Sequence, residues 1–130
     1  MTTYDNKKSD GTNKKLGLPY SDEGMEKIAI CFDVDGTLID GDKKHASTMK
    51  LLVALAEQKW KNVRIIVWSG GGQTYAETIV RRYGLDALGN LQVMGKLQYR
   101  ELRDKGYRII AIDDIQDTRL GDVNLIVRNK

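Results

Sequence analysis

The sequence predicts a single α/β domain in which a parallel sheet is covered by helices on both faces, giving three layers. Apolar runs alternate along the chain with segments of helical periodicity, and this alternation is typical of parallel sheets. Several of the runs are apolar throughout, as expected for strands that are buried on both faces. The chain has 130 residues, of which 41% are hydrophobic and 30% charged, as in one ordinary globular domain.

Five strands and four helices are predicted. The strands are 27–33, 63–68, 91–93, 107–112 and 123–127. The helices are about 46–59, 73–83, 96–105 and 116–120. Met49, Leu52 and Ala56 recur at helical spacing in the first helix. Gly84 and Gly106 are placed to end the second and third helices.

The remaining segments are polar. Residues 1–24 lack hydrophobic periodicity and are predicted to be a flexible tail, so the folded domain is expected to cover 25–130. Residues 38–45 are predicted to be a short polar loop.

Composition narrows the classes of function. The net charge of +3 is too small to argue for a nucleic-acid partner by itself. The single cysteine, Cys31, excludes an internal disulfide and a zinc site built from cysteines. No apolar run approaches the roughly 18 residues of a membrane span, and the polar N-terminus has no signal-peptide core. We therefore expect a cytoplasmic protein.

Chemically active side chains follow three of the predicted strands. Asp33, Ser69 and Asp113 stand at the ends of the first, second and fourth strands. Because the carboxyl ends of parallel strands share one edge, we expect these side chains to converge there. Asp35 and Asp114 add two more carboxylates, and such a cluster of hard oxygen ligands suits Mg²⁺.

Two further features predict a phosphate site at the same edge. Ser69 is followed by three glycines and then a helix, which offers a hydroxyl and unhindered N–H groups to a phosphate. Lys96 could reach a phosphoryl oxygen and offset the carboxylates. Alone, a glycine run is usually a flexible loop and a lysine usually a surface residue. The position of the glycine run beside the acidic cluster favours its functional interpretation. Lys96 is favoured because Lys105 could replace it only from the far end of the helix.

These residues carry a family resemblance. The stretch Asp33-Val34-Asp35-Gly36-Thr37-Leu38 matches the DxDGT signature of the haloacid dehalogenase (HAD) superfamily, and Ser69, Lys96 and Asp113-Asp114 match its later motifs in order and spacing. The resemblance covers residues 27–127. It implies a Rossmann-like sheet with the strand order 5-4-1-2-3, counting the predicted strands along the chain. Single helices fill both points where relatives carry a cap domain, so no cap domain is expected.

The resemblance implies a phosphatase that works through an aspartyl phosphate. Asp33 would be the nucleophile, and Asp35 would first protonate the leaving group and later activate water. Lys96 would stabilise the nucleophile and the transferring group. An aspartate at the second position of the signature distinguishes the phosphatases from the dehalogenases.

The resemblance also implies the binding residues. The phosphoryl group would be held by Ser69, the Gly70 N–H and Thr37. The Mg²⁺ ligands would be Asp33, the backbone carbonyl of Asp35 and an acidic residue of the last motif, with Asp114 favoured over Asp113 as the direct ligand. Many relatives have another acidic residue four or five positions after this ligand, whereas Asp117 lies three positions after Asp114.

A site without a cap suggests particular partners and leaves two alternatives. Capless relatives tend to accept large substrates, such as phosphorylated proteins or nucleic-acid ends, or to close the site with a second subunit. One alternative is a receiver-like phosphoacceptor, although receivers place the lysine last, whereas Lys96 precedes Asp113-Asp114. The other is a binding module that retains the fold without turnover.

Overall fold

The computed structural model describes residues 25–115 and 120–128. The elements within them are β1 (Lys27–Asp33), β2 (Ile39–Asp40), β3 (Lys43–Lys44), α1 (Ala46–Gln58), β4 (Val63–Ser69), α2 (Gln73–Arg82), β5 (Leu91–Gly95), α3 (Tyr99–Asp104), β6 (Tyr107–Asp113) and β7 (Val123–Ile126). The predicted tail at 1–24, and the predicted helix at 116–120 except for Leu120, lie outside the described residues.

Five of these strands form one parallel sheet, which confirms the predicted α/β class. The strands lie side by side in the order β5-β4-β1-β6-β7, and each neighbouring pair is parallel. Written in these labels, the order differs from the predicted series, because two short strands that the sequence did not predict take the labels β2 and β3. Across the sheet, the strands that begin at Leu91, Val63, Lys27, Tyr107 and Val123 follow one another.

The prediction of a polar loop at 38–45 was wrong. Ile39 pairs with Lys44 in an antiparallel hairpin, and a two-residue turn joins β2 to β3. The hairpin forms because Leu38 and Ile39 are apolar and bury completely, which fixes the chain where it leaves β1. Gly41, with φ +61°, supplies the turn.

Two hydrophobic clusters, one on each face, place helices on both sides of the sheet as predicted. Successive side chains of a strand point to opposite faces. Phe32 and Val67 therefore pack in one cluster with Leu52 of α1 and Ile79 of α2. The other cluster, on the opposite face, contains Cys31, Ile66, Trp68 and Ile109, together with Leu102 of α3.

The third predicted helix is divided. Lys96–Gln98 forms a 3₁₀ turn before α3, so Lys96 follows β5 directly. This arrangement keeps Lys96 at the carboxyl edge of the sheet, beside the ends of β1, β4 and β6. Among the helices of the described part of the chain, none is long and apolar enough to cross a membrane.

Candidate functional site

Three aspartates meet at the carboxyl edge of the sheet. Asp33 ends β1 and Asp113 ends β6, and these two strands are hydrogen-bonded neighbours. Asp114 follows directly, and one carboxylate oxygen from each of the three aspartates lies within 4.8 Å of the others. Asp33 is 6% exposed and Asp113 7% exposed. The backbone therefore places carboxylates where most of their hydration is lost, and buried carboxylates need compensating partners.

Lys96 provides part of that compensation. Its Nζ lies 2.8 Å from Asp33 Oδ1 and 2.8 Å from Asp113 Oδ2, so one ammonium bridges the ends of two strands. Burial by itself disfavours the ammonium, but its hydrogen bonds to Asp113 and Asp33 hold the pKa of Lys96 above its usual range. Lys96 is therefore a cation fixed between Asp33 and Asp113.

The three carboxyl groups differ in their pKa values. Burial raises the pKa of Asp33 to about 6 in spite of Lys96, and the neighbouring Asp113 and Asp114 charges also raise it. Burial and Asp113 together raise the pKa of Asp114. Burial alone would raise the pKa of Asp113, but its hydrogen bonds, first of all from Lys96, hold it below the usual range. Three carboxylates against one ammonium leave an excess of negative charge.

Asp113 and Asp114 are placed differently. Asp113 Oδ1 accepts hydrogen bonds from the backbone N–H groups of Asp114, at 2.7 Å, and Ile115, at 3.2 Å, while Oδ2 binds Lys96. Both Asp113 oxygens are thus engaged within the protein. Asp114 Oδ1, in contrast, is buried and has no hydrogen-bond partner among the described residues. An orphaned carboxylate oxygen beside two other carboxylates fits a bound metal ion.

Gly36 makes room for Asp114. It has φ +82°, and a Cβ at position 36 would overlap Asp114 Oδ2. A side chain at this position would therefore displace the carboxylate that has the orphaned oxygen. The glycine of the DxDGT signature is required here both by backbone conformation and by space.

Thr37 lies beneath Asp33. Its side chain is completely buried, and Oγ1 donates a hydrogen bond to Asp33 Oδ2 at 3.3 Å. Together with Lys96 on Oδ1, this contact fixes the orientation of the Asp33 carboxylate. Direct contact of Thr37 with a substrate stays a prediction.

Ser69 and Gly70 stand beside the cluster on the neighbouring strand. Ser69 ends β4 and is 3% exposed, whereas Gly70 is exposed. Ser69 Oγ accepts a hydrogen bond from the Gly71 N–H at 2.9 Å, which orients the hydroxyl so that its own proton can be donated elsewhere. This arrangement suits an anion that accepts hydrogen bonds at the mouth of the site.

Asp35 stands apart from the three clustered aspartates. It is exposed, and its Oδ1 accepts a hydrogen bond of 2.7 Å from the hydroxyl of Tyr75. The structure therefore does not bring the Asp35 carboxylate into the group that could hold a metal ion. Tyr75, the third residue of α2, was missed by sequence reasoning, because nothing in its local pattern indicates that it reaches a residue 40 positions earlier. Asp117 lies outside the described residues.

The chain was also compared with known proteins. No model of a protein family matches it. No curated protein is significantly similar to it. The geometry of the acidic cluster, Lys96 and Ser69 therefore carries the functional argument.

Proposed function

We propose that this protein is a Mg²⁺-dependent phosphatase of the HAD type, which hydrolyses phosphomonoesters through a phosphoaspartate on Asp33. The observation that carries the proposal is the bridge from Lys96 to Asp33 and Asp113, each at 2.8 Å, beside the orphaned oxygen of Asp114. A structural salt bridge alone would not explain a third carboxylate with a buried oxygen that has no hydrogen-bond partner among the described residues. A cation-dependent reaction of an anionic substrate accounts for all three aspartates.

In the first step, Asp33 attacks phosphorus. A carboxylate oxygen of Asp33 forms a bond to the phosphoryl group as the bond to the leaving oxygen breaks. Asp35 gives its proton to that oxygen, and an alcohol leaves. Lys96, Ser69 and the Gly70 N–H stabilise the negative charge of the transferring group.

In the second step, water releases the phosphate. Asp35, now ionised, accepts a proton from a water molecule as that water attacks phosphorus, and the bond to Asp33 breaks. The products are inorganic phosphate, an ionised Asp33 and a protonated Asp35. When bound by Asp33, Asp114 and the Asp35 carbonyl, with Asp113 in support, Mg²⁺ supplies positive charge that neutralises the carboxylates and the phosphoryl oxygens.

We further propose that the site accepts large phosphorylated substrates, such as a protein or a nucleic-acid end, or is closed by a second subunit. This proposal is supported by the short length of the two chain segments beside the site. Between β1 and β4 there are one hairpin and α1, and between β4 and Lys96 there are α2, a 3₁₀ turn at Leu85–Leu88 and β5. Neither segment has the length of a cap domain. The predicted cytoplasmic location stays a prediction.

The direct test is hydrolysis of an aryl phosphate by the full chain. We expect turnover with millimolar Mg²⁺ and loss of turnover when EDTA removes the metal, because the uncompensated carboxylates would repel the substrate. Restored activity after Mg²⁺ is added back serves as the control for damage to the protein. Equal rates with Mg²⁺ and with EDTA would contradict the proposal.

Gly36→Ala tests the metal site separately from turnover. In the unaltered protein, Mg²⁺ in about hundredfold excess over its Kd should raise the free energy of unfolding by about 2–3 kcal/mol. We expect Gly36→Ala to lose most of this gain, because the new Cβ displaces the Asp114 carboxylate. Thermal unfolding with and without Mg²⁺ measures the effect.

Gly41→Ala is the matched control. Gly41 also has a positive φ, of +61°, but a Cβ there would meet nothing within 4 Å. Both variants should therefore lose about 1–2 kcal/mol through backbone strain. Only Gly36→Ala should lose the response to Mg²⁺, and an equal response in the two variants would remove Asp114 from the metal site.

A further inference from the structure

We propose that Tyr75 is a positioning residue that holds the Asp35 carboxylate toward the leaving group. The inference rests on the proposed phosphatase function and adds a residue to that site. It starts from the 2.7 Å hydrogen bond between the Tyr75 hydroxyl and Asp35 Oδ1. A general acid is effective only when its proton is held within hydrogen-bond reach of the leaving oxygen.

The backbone around Asp35 is fixed, but its side chain is not held by burial. The Gly36 N–H donates to the Ile39 carbonyl at 2.7 Å, and the N–H groups of Leu38 and Ile39 both donate to the Val34 carbonyl. Asp35 itself is exposed. An exposed aspartate on a rigid turn rotates freely between side-chain rotamers unless a neighbour selects one. Tyr75 is such a neighbour.

Tyr75 can select the rotamer because its own ring is anchored. The ring is partly buried and packs against the cluster that contains Phe32 and Ile79. A Cβ at Gly71 would lie 3.4 Å from Tyr75 Cδ2, so the ring also lies against the glycine run after Ser69. The ring is therefore held between the glycine run and this cluster, and its hydroxyl is held against Asp35.

The hydrogen bond from Tyr75 leaves the other carboxylate oxygen of Asp35 available for proton transfer. Among the described residues, no hydrogen bond to Asp35 Oδ2 is found, whereas Oδ1 receives the Tyr75 proton. Oδ2 is then the atom that gives its proton to the leaving oxygen and later accepts one from water. The Tyr75 hydroxyl keeps its own proton in both steps, so it contributes orientation and transfers nothing.

Tyr75→Phe removes this hydrogen bond and retains the packing ring. Its effect should depend on the leaving group. An alkyl phosphate releases a basic alkoxide that requires a proton, whereas 4-nitrophenyl phosphate releases a weakly basic phenolate that scarcely does. We expect kcat/KM for glycerol phosphate to fall about tenfold and kcat/KM for 4-nitrophenyl phosphate to change less than about twofold. The ratio kcat/KM is the appropriate measure because it reports only on the steps up to phosphoryl transfer to Asp33. The later attack of water does not affect it.

Tyr83→Phe is the control from the opposite end of α2. Tyr83 directly follows α2, and its hydroxyl donates to the backbone carbonyl of Asp42 in the hairpin at 3.2 Å. This variant therefore loses a tyrosine hydrogen bond to the hairpin without touching Asp35. We expect both kcat/KM values to stay within about twofold of the unaltered protein. In an Asp35→Asn background, Tyr75→Phe should have no further effect on either substrate.

Four results would overturn the inference. Equal losses on both substrates, or no loss on either in an active protein, would remove the positioning role and leave the phosphatase proposal intact. A further loss from Tyr75→Phe in the Asp35→Asn background would show that Tyr75 acts on something other than Asp35. Absence of Mg²⁺-dependent hydrolysis by the unaltered protein would overturn the phosphatase proposal and this inference with it.

Discussion

We expect Asp33→Asn to abolish hydrolysis, with kcat lower by at least about 10⁴-fold, as is typical when an enzyme loses its nucleophile. The amide has nearly the shape of the carboxylate, but its oxygen does not attack phosphorus. Steady-state assays with Mg²⁺ and 4-nitrophenyl phosphate measure the loss. Asp42→Asn is the control, because Asp42 is an exposed carboxylate in the turn between β2 and β3, and this variant should retain full activity.

Asp33→Asn should lose activity without losing its fold. Burial raises the pKa of Asp33 to about 6, above the value near 3.9 expected in the unfolded chain. Ionisation of Asp33 therefore destabilises the metal-free protein, and this loss grows as the pH rises from about 4 to 6. At pH 7 with EDTA, the variant should be more stable than the unaltered protein by about 1–3 kcal/mol. The advantage should disappear near pH 4, and an inactive variant that is also unfolded would contradict the assignment.

Lys96→Met should have the largest effect on stability. Methionine retains much of the length of the side chain but removes the ammonium that lies 2.8 Å from both Asp33 and Asp113. Two buried carboxylates then face each other without a counter-ion, a change that typically costs about 3–5 kcal/mol. Urea unfolding in EDTA at pH 7 measures the free energy, and activity should fall at least about hundredfold because the transferring phosphoryl group loses a cation.

Two further variants isolate the cause of this destabilisation. Lys105→Met replaces an exposed lysine at the end of α3 and should change stability by less than about 0.5 kcal/mol. Adding Asp33→Asn to Lys96→Met removes one of the facing charges and should restore much of the lost stability. If Lys96→Met were no worse than Lys105→Met, Lys96 would not be the counter-ion of the cluster.

The convergence of the site residues on one edge was predictable, for a physical reason. Buried parallel strands appear as apolar runs, and their carboxyl ends share an edge, so the strand-end positions of Asp33, Ser69 and Asp113 define a common location. Lys96 was expected at the same edge because it begins the predicted helix that follows the third predicted strand. None of these steps required knowledge of side-chain direction.

The hairpin and the side-chain contacts of the site could not be predicted, because they depend on geometry that the sequence pattern does not contain. β2 and β3 have two residues each, too few for periodicity to reveal, and they were predicted to be loop. Asp113 and Asp114 differ because the backbone N–H groups of Asp114 and Ile115 donate hydrogen bonds to the Asp113 carboxylate. The order of residues in the sequence does not reveal these bonds. The contact between Tyr75 and Asp35 joins distant positions through the direction of two side chains.

The proposed phosphoaspartate on Asp33 can be detected by acid-quenched single-turnover mass spectrometry. The full chain, in excess over an aryl phosphate and with Mg²⁺, is quenched at successive times, digested and mapped. We expect a phosphoryl group on the peptide that carries Asp33, which appears with release of the phenol and decays as inorganic phosphate forms. A stable adduct on Asp33 would instead indicate a phosphoacceptor. Phosphate release with no adduct on Asp33, or an adduct on another residue, would rule out Asp33 as the nucleophile.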